Sequence, residues 1–300
     1  MKPRILVIGS ANVDMIIKVP HIPRPGETIL GGDFFKVQGG KGANQAVAAA
    51  RAGGNVIFAG CVGNDSLGAD TLTCLKKEGI DVSFVKISPD KPTGVALINV
   101  AATGENSIAV APGANHAVTP DDIQAIEHVI AEAQIVLLQH EIPVPAIRTA
   151  IEIASVHKIP VILNPAPAFP IASDLLSKIE YLTPNEHEAA MITGHGQEDE
   201  TDPYRLAARL IEMGCRQIII TLGEKGALYA TPGRTDLIPG FPVKAVDTTA
   251  AGDTFNGYLA VAIASGKPIQ EAIRLANKAA SVSVTRMGAQ SSIPVLSEIE

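Results

Sequence analysis

Asp247-Thr-Thr-Ala-Ala-Gly-Asp-Thr-Phe-Asn-Gly257 sets a carboxylate, Asp253, directly behind a small-residue turn, Ala250-Ala251-Gly252, at the head of an apolar, helix-like run. Small residues let a backbone come close to a ligand. The N–H groups of a helix's first turn lack partners within the helix and favour negative charge. An acid beside such an anion site makes sense as a proton acceptor while the site stabilises charge developing nearby. Phosphoryl transfer asks for that pairing. In isolation, Asp253 could equally be a capping residue that closes a loop. A second acid, Asp247, brackets the same turn and points beyond a cap.

Outward from this stretch, short apolar runs alternate with helix-length periodic segments. Strands are predicted at Ile5–Ile8, Val56–Ala59, Ile135–Leu138, Val161–Leu163 and Ile218–Thr221. Helices are predicted around Ala43–Ala52, Leu67–Lys77, Pro120–Ala131, Pro145–Val156 and Pro203–Met213. The rhythm implies an α/β fold with a central, mostly parallel sheet flanked by helices, whose ligands bind at the carboxyl ends of the strands. Two segments break it. Val13–Val37 is extended and holds Pro20, Pro23 and Pro25, and Gly94–Val110 reads as two strands, Val95–Val100 and Ser107–Val110, around Thr103-Gly104-Glu105. Together they are expected to form a small antiparallel sheet, either a lid over the strand ends or an ordinary edge hairpin. The corresponding division is a core of residues 1–11, 39–93 and 112–300, with a β lid of residues 12–38 and 94–111.

The chain has 300 residues and is 46% hydrophobic but only 4% aromatic, without Trp, so aliphatic residues must carry the core. A net charge of −7 argues against broad nucleic-acid binding, which calls for a basic face. No apolar run is long enough to span a membrane, and the start, Met-Lys-Pro-Arg-Ile-Leu-Val-Ile-Gly, enters a strand without a signal-peptide cleavage site. Cys61, Cys74 and Cys215 lie far apart in no metal-ligand spacing and read as reduced core thiols of a cytoplasmic protein.

Several further clusters suit a sugar and a nucleotide. Gly9-Ser-Ala-Asn-Val-Asp14 follows the first strand and matches neither a dinucleotide nor a Walker A pattern. Its Asn12 and Asp14 face one side of an extended chain, where they suit sugar hydroxyls or simple turn chemistry. Gly39-Gly-Lys-Gly-Ala-Asn-Gln-Ala46 offers close backbone approach, with Lys41 and Asn44 at a helix start. Glu141, beyond the strand Ile135–Leu138, is a candidate hydroxyl acceptor, and His140 beside it reads as structural. Asn185 and Glu188 lie three apart as a helix begins. That spacing serves either hydrated Mg²⁺ and phosphate or a capping box. Leu222-Gly-Glu-Lys-Gly226 suits an ATP-side loop or a β-turn. Thr285-Arg-Met-Gly-Ala-Gln-Ser-Ser292, with Asp247, could cage a monovalent cation through carbonyls or could simply be a tail.

In this order, from Gly9 to Ser292, the motifs resemble the ribokinase-like (PfkB) family of carbohydrate kinases. The Asp247–Gly257 and Gly39–Ala46 stretches match the family's two signatures. The resemblance implies ATP-dependent phosphorylation of the 5-hydroxyl of D-ribose. Asp253 would be the general base, and the backbone of Ala250, Ala251 and Gly252 the anion hole. Asn12, Asp14, Gly40, Lys41, Asn44 and Glu141 match ribose-binding positions. Asn185, Thr221, Gly223, Lys225, Gly226 and Asn277 match nucleotide contacts, as does Gly252. Glu188 matches the Mg²⁺–phosphate position. Asp247, Thr249, Ser283, Arg286, Gly288 and Ser292 fall where the family binds K⁺. The resemblance also implies a homodimer formed through the lid. Its rivals are a deoxyribose-accepting or other sugar kinase of the same family, and a non-catalytic sugar-binding sensor. The sensor would be expected to lose Asp253 or Gly252, and both are present.

Overall fold

The structure is a computed structural model and describes residues 2–194 and 202–299. The chain enters the core through β1 (Arg4–Ile8) and leaves it for a hairpin, β2 (Asn12–Val19) and β3 (Phe34–Gly39), before α1 (Lys41–Arg51). After β4 (Asn55–Gly63), α2 (Ser66–Lys77) and β5 (Asp81–Ser88) comes a second hairpin, β6 (Gly94–Ala101) and β7 (Asn106–Ala111). A 3₁₀ turn at Gly113–Ala117 returns the chain to α3 (Pro120–Ala125), α4 (Glu127–Glu132), β8 (Ile135–Gln139), α5 (Val144–Val156) and β9 (Val161–Asn164). Then follow α6 (Ser173–Leu176), β10 (Tyr181–Leu182), α7 (Glu186–Ile192), α8 (Pro203–Glu212) and β11 (Gln217–Thr221). The hairpin β12 (Gly226–Thr231) and β13 (Arg234–Pro239) leads to the paired helices α9 (Ala251–Ala264) and α10 (Ile269–Ser283).

Nine strands form the main sheet in the order β13-β12-β11-β10-β9-β8-β1-β4-β5, parallel except for the pairs made by β12. Its central strands are apolar without interruption because helices cover both faces. Ile5 to Ile8 are all inaccessible to solvent. Leu6 and Ile8 pack into a core with residues of α3, α4, α5, α7 and α8, while Ile5 and Val7 pack into a second core with α1, α9 and α10. The helix predicted across Pro120–Ala131 is two. Ile126 sits outside the helical region at φ −103, ψ 17 and ends α3. The break lets Ile123 on one side and Val129 and Ile130 on the other reach the same core.

The second sheet has four strands in the order β3-β2-β6-β7. Each hairpin is antiparallel, as predicted, and the two hairpins join through a parallel β2–β6 pair. Register aligns Phe35, Ile16, Ile98 and Ile108 in one row across all four strands. With a side-chain period of two, that row shares its face with Asn12 and Asp14. Phe35 and Ile108 are 41% and 55% exposed, so the row is an apolar surface open to solvent.

One close approach positions the site. A side chain at Gly257 would meet the Ala48 methyl at 2.4 Å and the Gln45 carbonyl at 2.7 Å, so the glycine lets α9 lie directly on α1. The facing surface of α1 there is Gln45, Ala48 and Ala49. This contact brings Asp253, one turn before Gly257, against Asn44 and Gln45.

Candidate active site

The site lies where the carboxyl ends of β1, β8, β9, β10 and β11 meet the starts of α1 and α9. Asp253 is buried at the head of α9. Its Oδ2 accepts from Asn44 Nδ2 at 3.0 Å and its Oδ1 from Gln45 Nε2 at 3.0 Å. The turn before it is bent by Ala250, a non-glycine residue at φ 59, ψ 13 in the left-handed region. Such a conformation costs energy and persists where surrounding structure imposes it. The N–H of Ala251 is spent on the Thr248 carbonyl at 3.2 Å. Of the expected anion hole Ala250–Gly252, Ala251 is thus taken up. Among the described residues the N–H groups of Ala250, Gly252 and Asp253 meet no acceptor, so two donors at the positive end of a 14-residue helix, with Ala250 just before it, remain for an anion.

The residues matched to the sugar converge beside Asp253. Gly40, at φ +86, turns the chain out of β3 so that Lys41 opens α1. Glu141 Oε2 accepts from Ser10 Oγ at 2.5 Å and from the Lys41 N–H at 2.9 Å, which fixes the carboxylate. Asn12 spends its carbonyl oxygen on Asn115 Nδ2 at 2.6 Å, so its own amide N–H groups are left to donate. Asn115, on the 3₁₀ turn, also accepts from the Ala11 N–H at 2.9 Å and so grips the crossing into the second sheet. Asn44 Oδ1 is buried without a partner, an acceptor that a ligand hydroxyl would satisfy.

The field here is strongly coupled. Burial, then Glu141 and Asp253, push the Asp14 carboxyl up to about 6. Burial works against the Lys41 charge, but Asp253, Glu141 and Glu188 outweigh it and hold its ammonium above the ordinary lysine value. Burial raises the Glu188 carboxyl, with the Asn185 N–H and Lys41 pulling it back. The capping box is formed: Glu188 N–H donates to Asn185 Oδ1 at 2.7 Å and Asn185 N–H to Glu188 Oε2 at 2.9 Å. Both residues nonetheless line a pocket with Lys41, Gly252, Asp253 and Asn256, so the cap and a ligand-facing role coexist. His140 is structural, as predicted. Its N–H donates to the Ala166 carbonyl, its Nδ1 lies 3.2 Å from the Pro167 carbonyl, and burial keeps the ring below the usual histidine value.

A larger, more apolar cleft adjoins this pocket through Thr221 and Gly252. Gly223, Gly226 and Asn277 line it, together with Phe241, Val243 and Val284, which the sequence reading missed. Lys225 does not. It is exposed, and its carbonyl instead accepts the Gly240 N–H. Asn277 spends its amide N–H groups on the Ile238 and Pro239 carbonyls, leaving an acceptor free. Asn185 belongs to the inner pocket and not to this cleft.

Comparison with known proteins gives the family. A model described as "pfkB family carbohydrate kinase" matches residues 2–296. The chain belongs to the PfkB family of carbohydrate kinases. It is 43% identical to a ribokinase of Haemophilus influenzae over 298 residues, covering 99% of this chain and 97% of that one. A deoxyribokinase of Salmonella typhi is 39% identical over 296 residues, covering 98% and 96%. Among solved structures, an Arabidopsis thaliana ribokinase complexed with ribose and ATP superposes with a TM-score of 0.91 at 34% identity, covering 100% of this chain and 98% of that one.

The positions at which PfkB kinases are expected to bind a monovalent cation lie on two adjoining loops. Asp247 ties them together: it accepts from the Thr249 N–H and hydroxyl and, across the gap, from the Gly288 N–H at 2.8 Å. Burial would raise the Asp247 carboxyl, but these bonds overcome it and hold it below the usual carboxylate value. Among the described residues, the carbonyls of Asp247, Thr249, Arg286, Gly288 and Ser292 accept no hydrogen bond, a donor set that fits a hard monovalent ion. Ser283 is the exception, since its carbonyl takes the Arg286 N–H. No cluster of three or more His, Cys, Asp and Glu occurs among the described residues. Glu188 therefore fits Mg²⁺ only in the way that ion is commonly held, by one carboxylate, waters and substrate phosphates.

Proposed function

We propose that this protein transfers the γ-phosphoryl group of ATP to the 5-hydroxyl of D-ribose, with Asp253 as general base. The observation that carries the reading is a buried carboxylate, fixed by two amides, placed beside two unspent helix-start N–H groups. The apolar cleft lined by Phe241, Val243 and Asn277 takes the nucleoside. The inner pocket takes the phosphates, and Asn12, Asp14, Lys41, Asn44 and Glu141 take the sugar. Asp14 and Glu141 accept from sugar hydroxyls while Asn12 donates, which fixes the ring in one orientation. Asp253 then removes the 5-hydroxyl proton as the oxygen approaches the γ-phosphorus in line. The Gly252 and Asp253 N–H groups stabilise charge on the transferring group, and Lys41 bridges the two substrates. Positioning and charge neutralisation supply most of such catalysis.

Mg²⁺, reached from Glu188 through water, would neutralise phosphate charge, and K⁺ on the Asp247–Gly288 loops would set the geometry of the anion hole. The second sheet (residues 12–38 and 94–111) acts as a lid that excludes water. Its apolar row, Phe35–Ile16–Ile98–Ile108, packs on a second copy to give a homodimer. No helix among the described residues is long and apolar enough to cross a membrane, which accords with a cytoplasmic enzyme.

The test is ATP-dependent phosphorylation by purified protein of ribose, 2-deoxyribose, fructose and adenosine, with and without K⁺. Preference for ribose, stimulated by K⁺, is expected. Asp253→Asn should lower kcat by ~10²–10⁴-fold and still bind ribose and ATP. Preference for 2-deoxyribose would move the substrate assignment while keeping the chemistry. Binding without turnover of any acceptor would favour the sensor.

A further inference from the structure

Behind Asp253 lies a chain of buried polar side chains, of which the mechanism above uses only the bond from Gln45 to the carboxylate. Gln139, the last residue of β8, donates its Nε2 to Gln45 Oε1 at 2.7 Å. Gln45 Nε2 in turn donates to Asp253 Oδ1 at 3.0 Å and to Asn164 Oδ1 at 3.1 Å. Asn164 Nδ2 donates to the Thr183 carbonyl at 2.9 Å, and Thr183 Oγ1 to Asn256 Oδ1 at 2.6 Å. Asn256 Nδ2 then closes the circuit on the Gly252 carbonyl at 2.8 Å, one peptide from Asp253. All five side chains are buried, and Gln45 and Gln139 are wholly inaccessible.

The circuit leaves Gln45 one orientation. Its oxygen must face the Gln139 amide, and both of its N–H groups then face acceptors. Reversing it would set an oxygen against the Asp253 carboxylate and against Asn164 Oδ1. Gln139 does this at a cost, since its own Oε1 is buried without a partner. An apolar side chain would fill the same space without leaving an acceptor unsatisfied. What the amide adds is a donor aimed at Gln45.

We propose that Gln45, locked by Gln139, is the positioning residue of the catalytic base: it holds Asp253 Oδ1 so that the carboxylate meets the sugar hydroxyl in one rotamer. The inference rests on the reading of Asp253 as that base. A donor to a carboxylate favours its charged form, so removing it moves the acid limb of the rate profile towards higher pH. The other charged groups in the field of Asp253 are Lys41 on α1, Asp14 on β2, Glu141 beyond β8 and Glu188 on α7. Gln45→Met leaves all of them in place.

The experiment is the pH dependence of kcat at saturating ribose and ATP for the wild type, Gln45→Met, Gln139→Met and Asp253→Asn, with ATP binding by calorimetry as the check of folding. Gln45→Met should lower kcat more than tenfold and shift its acid limb up by about one to two pH units, the size of a charge-assisted bond, with KM for both substrates little changed. Gln139→Met, which does not touch Asp253, should give a smaller shift in the same direction, and it carries the test should Gln45→Met fail to bind ATP. An unmoved acid limb, beside an inactive Asp253→Asn, overturns the positioning role and leaves the base standing. An active Asp253→Asn overturns both.

Discussion

Burial, with Glu141 and Asp253 close by, lifts the Asp14 carboxyl from the ordinary aspartate range to about 6, and this sets binding against folding at a single residue. The unfolded chain gives up that proton at lower pH, so between about 4 and 6 the folded state holds the extra proton. The contribution to stability is therefore present below the unfolded value and lost as pH rises through the folded one. A displacement of this size corresponds to roughly 2–3 kcal/mol. Asp14→Asn should accordingly melt at a higher temperature than the wild type at pH 7, while ribose KM rises tenfold or more. In the wild type, ribose KM should climb as pH falls below about 6, because a protonated Asp14 is a poorer acceptor for sugar hydroxyls. A KM that stays flat between pH 7.5 and 5.5 would contradict the assignment of Asp14 to the sugar.

At the scale of elements, the contact between α1 and α9 decides where the chemistry sits. Gly257 is the point of closest approach, so Gly257→Val should force the helices apart, cost about 1–3 kcal/mol in urea unfolding, and depress kcat by drawing Asn44 and Gln45 away from Asp253. A stable, fully active variant would show that the site tolerates the displacement. The same contact explains what was legible in the sequence. Gly39–Ala46 and Asp247–Gly257 could be read locally, because a glycine turn and a helix start carry their chemistry within a few residues. The partners of Asp253 could not: Gln45 lies 208 residues away, and nothing in Asn44-Gln45 says that both amides reach the carboxylate. Asn115, which grips Ala11 and Asn12 from more than a hundred residues away, went unread because no local pattern marks it. The break at Ile126 carries no glycine or proline to announce it; the β12–β13 hairpin does carry Pro232-Gly233, with Gly233 at φ +83, yet it went unread. Lys225, matched to a nucleotide contact through the resemblance, is exposed and does not line the apolar cleft.

On the scale of the whole molecule, the second sheet is the part whose exposed surface is least like that of an isolated chain. Phe35, Ile108 and Val110 are exposed on one face of it, an apolar face of the kind that marks an interface. Ile108→Glu should convert the proposed dimer to a monomer in sedimentation velocity, while a monomeric wild type would remove the dimer from the reading. The row Phe35–Ile16–Ile98–Ile108 shares its face with Asn12 and Asp14, so the proposed self-association and the proposed sugar site would draw on one surface. If a lid braced by a second copy holds ribose more tightly than a lone lid, linkage requires ribose to tighten the dimer by the same factor. Ribose should therefore lower the dimer dissociation constant. Conversely, an assay run on very dilute protein should report a weaker apparent affinity for the sugar than one run on concentrated protein, making enzyme concentration itself a variable of specificity.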